Sequence, residues 1–235
     1  IIMLAEIEVD LTPSATRPDY DAMLRRYAGM KIEDMLGDKF SPEIADLPAE
    51  ALLAKAMADR GMTGYHVVAA ENVRAPGSTH GLAQKCVIFT RFPVLKAISH
   101  PTVNARAILE VQVDVDGSKL YLFDNHWKSG GGDPLTEVTR IANAQTLRTR
   151  LDEILKDDPH ADIILGGDFN TRDHASLTRQ FAVAGFATAQ QAQVTWRRMP
   201  FVLDHVFYNA PLRCVGHEVC PTMASDHHAL VADFE

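Results

Sequence analysis

One short segment, residues 164–173, reads Ile-Leu-Gly-Gly-Asp-Phe-Asn-Thr-Arg-Asp and constrains the fold more than any other part of the chain. An apolar run over residues 163–165 predicts a buried strand that ends at two glycines. Because side chains two apart in an extended chain point to the same side, Asp168 and Asn170 should project together while Phe169 points into the domain. A carboxylate beside an amide, on a glycine-rich backbone, suits a phosphate and its divalent metal. A plain turn is the alternative interpretation of this segment taken alone.

Three further polar clusters lie where apolar strands are predicted to begin or end. They contain Asn125 with His126, then Asp204, and finally Asp226 with His227. A single histidine at a strand end is usually structural or solvated. Four clusters of Asp, Asn and His together match what metal-assisted hydrolysis needs, namely oxygen ligands, an imidazole for proton transfer and a carboxylate to orient it.

These motifs, in this order, resemble those of the endonuclease/exonuclease/phosphatase superfamily, which includes deoxyribonuclease I, exonuclease III, sphingomyelinases and inositol polyphosphate 5-phosphatases. The resemblance runs from Glu6 to the end of the chain. The Gly-Asp-Phe-Asn signature is present in full at residues 167–170. Leu-Asp-His-Val at 203–206 is similar to the family's Ile-Asp-His-Ile strand, and Ser-Asp-His at 225–227 to its closing motif. Asn-His at 125–126 resembles a further family element.

The resemblance implies one Mg²⁺ or Mn²⁺ ion as cofactor. Glu6 would hold the ion, since a hard cation prefers carboxylate oxygen, and Asp226 would add a second carboxylate. Asn125 and Lys128 are predicted to contact the substrate, Lys128 at its phosphate.

By the same resemblance, five residues carry out the reaction at phosphorus. Asp168 and Asn170 position the nucleophilic water and a phosphate oxygen. His227 is the imidazole nearest the chemistry, oriented by Asp204. His126 donates to a non-bridging phosphate oxygen and stabilises charge on the five-coordinate phosphorus.

The start of the chain departs from the family pattern. Ala5 replaces the usual Gln before the Glu, and the family's first strand has no counterpart. The chain does not begin with Met, which favours an absent N-terminus over an impaired copy of the family. Residues 1–235 are expected to form one domain, with a helical, insertion-like segment at 11–60.

Hydrophobic periodicity predicts an α/β domain. Strands are predicted at 65–69, 85–90, 107–115 and 119–125, helices at 136–156 and 176–184, and a loop at 72–81. In the longer helix, one apolar face is predicted to hold Val138, Ile141, Ala144, Leu147, Leu151, Ile154 and Leu155. Hairpins mixed with long helices fit two packed mixed β-sheets with helices on the outside. The resemblance implies this four-layer sandwich.

Composition narrows the possible partners. The formal net charge is −8, whereas a general DNA-binding protein is more often basic. This negative charge favours small phosphodiesters or phosphomonoesters over nucleic acid as the substrate. No apolar run approaches the ~20 residues of a membrane helix, so we expect a soluble protein, cytoplasmic or secreted, without stable membrane insertion. The three cysteines show no metal-ligand spacing.

Three functions stay open at this point. The leading one is a metal-dependent phosphodiesterase or nuclease. The second is a phosphomonoesterase or lipid phosphodiesterase with the same site, and the third is a catalytically silent binding domain. Retention of all the polar motifs argues against the third, and the missing first strand is its only support. The sequence does not predict an oligomeric state.

Overall fold

The structure of the protein is a computed structural model that describes residues 1–9, 19–71, 75–78, 83–190 and 193–235. Residues 11–18 of the predicted insertion and much of the predicted loop at 72–81 lie outside the described residues. Within the described ranges, no helix combines the length and the apolar surface that crossing a bilayer requires.

A six-stranded mixed sheet forms the centre of the fold. Its strands are β4 (Val94–Thr102), β5 (Ala105–Val115), β6 (Ser118–His126), β7 (Asp162–Asp168), β8 (Phe186–Thr188) and β9 (Asp204–Asn209). Their order in the sheet is β4-β5-β6-β7-β9-β8. β6 and β7 run parallel, and the other neighbouring pairs are antiparallel. The parallel register places His126 beside Asp168, so the ends of both strands deliver side chains to the same edge of the sheet.

A second layer of strands packs against one face of the large sheet. It contains β1 (Ile2–Glu8), β2 (His66–Ala69) and β3 (Gln84–Thr90), and a separate antiparallel pair, β10 (Cys214–Cys220) and β11 (Ala229–Phe234). The first three strands form an antiparallel sheet in the order β1-β3-β2. Cys86 and Ile88 of β3 share a buried core with Leu109, Val111 and Leu122 of the large sheet. The two layers therefore pack face to face.

Helices cover the outer faces of both layers. α5 (Pro134–Asp157) and α6 (His174–Val183) share a core with the large sheet, and α4 (Ala49–Asp59) shares one with the three-stranded sheet. In the second core, Ala54 and Met57 of α4 cluster with Val87 and Phe89 of β3. The layers run helix, sheet, sheet, helix, which confirms the predicted α/β sandwich of two packed sheets with outer helices.

Three short helices precede α4. They are α1 (Tyr20–Arg26), α2 (Ile32–Met35) and α3 (Pro42–Ala45). Asp19 begins α1 by accepting a hydrogen bond from the Ala22 amide at 2.9 Å, and Ser41 begins α3 by accepting one from Ile44. These helices and the start of α4 bury a small core made of Met23, Tyr27, Ile32, Met35, Ile44 and Ala51. That the segment is an insertion stays a prediction.

The apolar face predicted for α5 is wrong in its first half. Val138 and Ile141 are 70% and 50% exposed, and the buried positions there are Arg140 and Asn143. Arg140 Nη1 donates to the Lys128 carbonyl at 3.0 Å, and Asn143 Oδ1 accepts from the Lys128 amide at 3.1 Å. Hydrogen bonds to the loop after β6 therefore hold this end of the helix, and apolar contacts hold only the later turns.

Candidate active site

The end of β7 requires glycine because it passes unusually close to β6. Gly167 has φ +120°, and a Cβ atom there would lie 2.0 Å from the carbonyl oxygen of Asn125. A larger residue would push the two strands apart at the point where β7 delivers Asp168. Asn170 follows in the left-handed region, with φ +51°, which Asn tolerates better than most residues.

Asp168 and Asn170 form one hydrogen-bonded unit. The Asn170 backbone amide donates to Asp168 Oδ1 at 2.8 Å, and its Nδ2 donates to Asp168 Oδ2 at 2.7 Å. Phe169 between them is fully buried in the core, as the predicted alternation requires. Burial, with the charge of Asp204, raises the pKa of Asp168 from 3.8 to about 7. This carboxyl can therefore exchange a proton near neutral pH.

His126, at the end of β6, is a buried and neutral imidazole. Its Nε2 lies 3.7 Å from Asp168 Oδ2 and 3.5 Å from Glu6 Oε1. Burial lowers its pKa to about 3, and the positive charges of Arg106 and His227 add to this effect. A neutral imidazole still carries one N–H donor, so His126 can donate a hydrogen bond into the site without bringing a charge.

Glu6 lies at an irregular point of β1. The register with β3 shifts between Leu4 and Ile7, and Glu6 adopts φ +61°, which is rare for a residue with a long side chain. The side chain of Glu6 is 54% exposed, and the nearest cationic or ionisable nitrogen among the described residues is that of His126. The bulge thus aims a free carboxylate at the cavity, as a ligand for a hard cation requires.

Asp204 and His227 form the closest acid–imidazole pair of the site. Asp204 begins β9 opposite Asp168, and its Oδ2 lies 2.7 Å from Nδ1 of His227. Burial lowers the pKa of His227, but the hydrogen bond to Asp204 and the neighbouring negative charges outweigh it and raise the pKa to about 9. His227 is therefore protonated at neutral pH.

The polar residues meet in one cavity of about 240 Å³. Its lining includes Glu6, Asp168, Asn170, Asp226 and His227. Potential ligand atoms of Asp168, Asp204 and His227 lie within 4.8 Å of one another, a grouping that could also hold a metal ion. The structure thus brings together the residues predicted from four separate motifs.

The carboxylate of Asp226 has closer side-chain contacts than the carboxylate of Glu6 has. Its Oδ2 forms an ion pair with Arg198, 2.9 Å from Nε, and accepts a hydrogen bond from Trp196 Nε1 at 3.4 Å. Burial raises the pKa of Asp226, but the hydrogen bond from Trp196 and the charge of Arg198 lower it below its ordinary value overall. Asp226 stays ionised, so both predicted ligands offer oxygen to the same cavity, and this donor set fits Mg²⁺ or Mn²⁺. That these two residues hold the ion stays a prediction.

The two predicted substrate contacts lie elsewhere. Asn125 is fully buried; its Nδ2 donates to the carbonyls of Phe123 and Gly166, both at 3.2 Å, and its Oδ1 accepts from Trp127 Nε1 at 3.2 Å. These hydrogen bonds tie the end of β6 to the end of β7, and that Asn125 contacts the substrate stays a prediction. Lys128 is half-buried and does not line the cavity.

Arg106 is a cation of the site that no sequence motif indicated. It lies near the start of β5, and its Nη2 hydrogen-bonds Gln84 Oε1. Burial lowers its pKa, whereas the charges of Glu6 and Asp168 raise it in part. Because Arg106 meets Gln84 and the charges of Glu6 and Asp168 only in the folded protein, a single Arg in a strand gave no signal in the sequence.

The four-layer sandwich, with acids and imidazoles at one sheet edge, defines a DNase I-like fold. A sequence model of the Endonuclease/Exonuclease/phosphatase family matches residues 84–199. Together with the fold, this match shows that the chain belongs to the endonuclease/exonuclease/phosphatase superfamily. No curated protein matches the chain.

Solved structures share this fold at low sequence identity. An endonuclease/exonuclease/phosphatase family protein from Leptotrichia buccalis superposes with a TM-score of 0.69 and 14% identity, over 99% of this chain and 86% of that chain. The human Nocturnin catalytic domain with bound sulfate superposes with a TM-score of 0.61 and 18% identity, over 100% of this chain and 94% of that chain. Truncated TDP2 from Caenorhabditis elegans superposes with a TM-score of 0.57 and 19% identity, over 77% of this chain and 79% of that chain. Membership of the superfamily supports a hydrolase of the phosphodiesterase, nuclease or phosphatase type.

Proposed function

We propose that the protein is a divalent-cation-dependent phosphodiesterase that attacks phosphorus with an activated water. The observation that carries this proposal is the cavity in which Glu6, Asp168, Asn170 and His227 meet, with Asp204 bonded to His227 at 2.7 Å. Oxygen ligands, a proton acceptor and a protonated imidazole are the groups that this reaction needs.

Glu6 and Asp226 are the proposed ligands of the cation. When bound, Mg²⁺ or Mn²⁺ would neutralise charge on a phosphate oxygen as a Lewis acid. Among the residues that the structure describes, Glu6 has no ion-pair partner closer than His126 at 3.5 Å, which suits this role.

Asp168 and His227 divide the proton transfers between them. With pKa values of about 7 and about 9, Asp168 loses its proton at a lower pH than His227 does. Asp168 can therefore accept a proton from water that Asn170 helps to position. His227, held in place by Asp204, can give a proton or a hydrogen bond to an oxygen on phosphorus.

Two further residues suit the phosphate oxygens. His126 donates one N–H from a buried position, and Arg106 supplies a positive charge that acts on the same carboxylates. Donors placed where charge develops stabilise the transition state. The sulfate bound by the human Nocturnin catalytic domain agrees with an anion site in this fold.

A small phosphodiester is the favoured substrate class. The net charge of −8 works against tight binding of a long polyanion such as DNA, while a local site can still bind one phosphate. Nucleic acid, phosphomonoesters and phospholipids with the same chemistry are outcomes that an assay separates.

The test is hydrolysis of four substrates by the purified protein. They are bis-p-nitrophenyl phosphate, p-nitrophenyl phosphate, supercoiled DNA and single-stranded DNA, each with Mg²⁺, Mn²⁺, Zn²⁺ and excess chelator. We expect the diester to be cleaved with Mg²⁺ or Mn²⁺, less well with Zn²⁺ because the expected ligands are oxygens, and not in chelator. Full activity in chelator would overturn the metal-dependent mechanism. No turnover of any substrate would support a silent binding domain.

A further inference from the structure

Strand β8 ends before it reaches the start of β9, where Asp204 lies. Thr188, the last residue of β8, pairs with Phe207, so the first residues of β9 extend beyond the last strand pair on this side. The Ala189 amide adds one more backbone hydrogen bond, to the Val206 carbonyl at 2.8 Å. Buried backbone polar groups are rarely left unpaired, so the outer edge of β9 beside Asp204 needs other partners.

The side chain of Gln190 supplies these partners in place of a strand. Its Nε2 donates to the Asp204 carbonyl at 2.7 Å, and its Oε1 accepts from the Val206 amide at 3.2 Å. A side-chain amide carries the same kinds of donor and acceptor as a peptide group, so Gln190 pairs with β9 as a further residue of β8 would. Gln190 is buried, and its own carbonyl accepts from Thr188 Oγ1 at 3.2 Å. The amide is therefore fixed against the start of β9.

The backbone amide of Asp204 is also paired with a side chain. The Thr195 Oγ1 accepts from this amide at 3.0 Å, and the Thr195 carbonyl accepts from the His228 amide at 2.7 Å. Thr195 thus connects the backbone at Asp204 with the backbone next to His227. With Gln190 on the carbonyl of Asp204, both polar backbone groups of this residue are held by side chains.

We propose that Gln190 is a positioning residue that keeps the Asp204 carboxylate within hydrogen-bond distance of His227. This inference rests on the proposed phosphodiesterase function, in which Asp204 holds His227 in place. The Oδ2 atom of Asp204 lies 2.7 Å from Nδ1 of His227, and a displacement of about 1 Å would take this contact outside the normal range for a hydrogen bond. Gln190 does not line the cavity, so its effect on the reaction passes through Asp204 and not through the substrate.

The first test measures hydrolysis of bis-p-nitrophenyl phosphate in Mg²⁺ by two variants of Gln190. Gln190→Met keeps nearly the same length and removes both hydrogen-bonding groups, and Gln190→Glu keeps only the acceptor for the Val206 amide when it is ionised. We expect kcat to fall about 10- to 100-fold in each variant while KM changes little, because a misplaced catalytic group slows the reaction without weakening substrate binding. Gln145→Met makes the same chemical change at an exposed position of α5 and should leave kcat unchanged. An unchanged kcat in both Gln190 variants would overturn the proposal.

A double-mutant cycle with Asp204→Asn separates positioning from a general loss of stability. The carboxylate on which Gln190 acts is already absent in Asp204→Asn, so adding Gln190→Met there should lower kcat by no more than about twofold. Thermal unfolding by circular dichroism shows whether each variant is folded at the assay temperature, and Gln190→Glu takes the place of Gln190→Met if the latter is not. Equal loss of kcat in the two backgrounds would assign Gln190 a purely structural role and contradict the proposal.

Proton NMR of protein labelled with ¹⁵N-histidine tests the same contact without any activity. The Nδ1 proton of His227, identified by the loss of its signal in Asp204→Asn, should give a downfield signal in the parent and in Gln145→Met. In the Gln190 variants this signal should move upfield or broaden by exchange with water, and an unchanged signal would overturn the proposal.

The two proposals fail in different ways. Absence of hydrolysis of bis-p-nitrophenyl phosphate by the parent would remove the proposed function, while the NMR signal would still decide whether Gln190 positions Asp204. Hydrolysis by the parent together with an unchanged signal in the Gln190 variants would leave the function and remove the positioning role.

Discussion

Asp124 should make the protein less stable as the pH rises, and Asp124→Asn should remove this effect. Asp124 lies in β6 and is completely buried, and neither carboxyl oxygen has a hydrogen-bond partner of normal geometry in the described part of the chain. Burial raises its pKa from 3.8 to about 8, and the backbone amides of Leu4, Val87 and Asn125 offset this only in part. The folded protein therefore holds a proton that the unfolded chain releases.

The sign and size of the effect follow from this difference. Between pH 4 and 8 Asp124 holds its proton in the folded state more than in the unfolded state, so its contribution to the free energy of unfolding falls as the pH rises. One pKa unit is worth about 1.4 kcal/mol, which gives a loss of up to about 4 kcal/mol between pH 5 and pH 8. A native domain is stable by about 5–15 kcal/mol, so a loss of this size is measurable.

The assay is urea unfolding followed by circular dichroism at pH 5, 6, 7 and 8. Other groups also titrate, so the informative quantity is the difference between parent and Asp124→Asn, which should grow in favour of the variant as the pH rises. Asp116→Asn makes the same chemical change at an exposed turn position with φ +52°, which Asn tolerates, and should follow the parent. Parallel curves for Asp124→Asn and the parent would refute the reasoning.

Three further predictions concern the active site and the strand that supports it. Glu6→Ala should keep the fold but move Mg²⁺ activation to at least roughly tenfold higher concentration, and an unchanged metal titration would show that Glu6 is not a ligand. His227→Ala should cost about 10²- to 10⁴-fold in kcat, Asp204→Asn less and His228→Ala least. Asp204→Asn should also lower the apparent pKa of the alkaline limb of the pH–rate profile, because the hydrogen bond and charge of Asp204 raise the pKa of His227 to about 9. An inactive His228→Ala variant beside a nearly normal His227→Ala variant would show that His228, and not His227, is the imidazole nearest the chemistry. Gly167→Ala should destabilise the protein by about 3 kcal/mol or more, seen as a lower Tm, because its Cβ would lie 2.0 Å from a backbone oxygen; an unchanged Tm would show that the two strands can separate without cost.

The sequence alone predicted most of the regular elements near the site. The strands at 107–115 and 119–125 correspond to β5 and β6, and the helices at 136–156 and 176–184 to α5 and α6. These segments have strong local periodicity and clear turn residues at their ends. β4 was not predicted, since it lies at the edge of the sheet and its residues are largely exposed or half-buried, so the contrast between its two faces is weak.

Hydrophobic periodicity predicted the wrong buried face where a helix packs against polar backbone groups. In α5, Val138 and Ile141 fall on the predicted apolar face, yet the element packed against that end is the loop after β6. The buried residues there are Arg140 and Asn143, because the backbone groups of the loop need hydrogen-bond partners. Hydrophobic periodicity shows which residues are apolar, but it does not show which part of the protein the helix packs against.

For the site, the sequence determined the chemistry and the tertiary structure decided the arrangement. The alternation of residues along β7 was enough to predict that Asp168 faces the site, because a period of two is a property of any extended chain. Asn170 lies beyond the end of β7 with φ +51°, and its two hydrogen bonds to Asp168 keep the side chains together. The sequence did not determine that Asn125 is hydrogen-bonded to Gly166 of the neighbouring strand, that the charges of Glu6 and Asp168 act on Arg106, or that Arg172 stacks on Phe201. Each of these depends on contacts between segments far apart in the chain. Such contacts exist only once the sheets have packed, so no local pattern could have shown them.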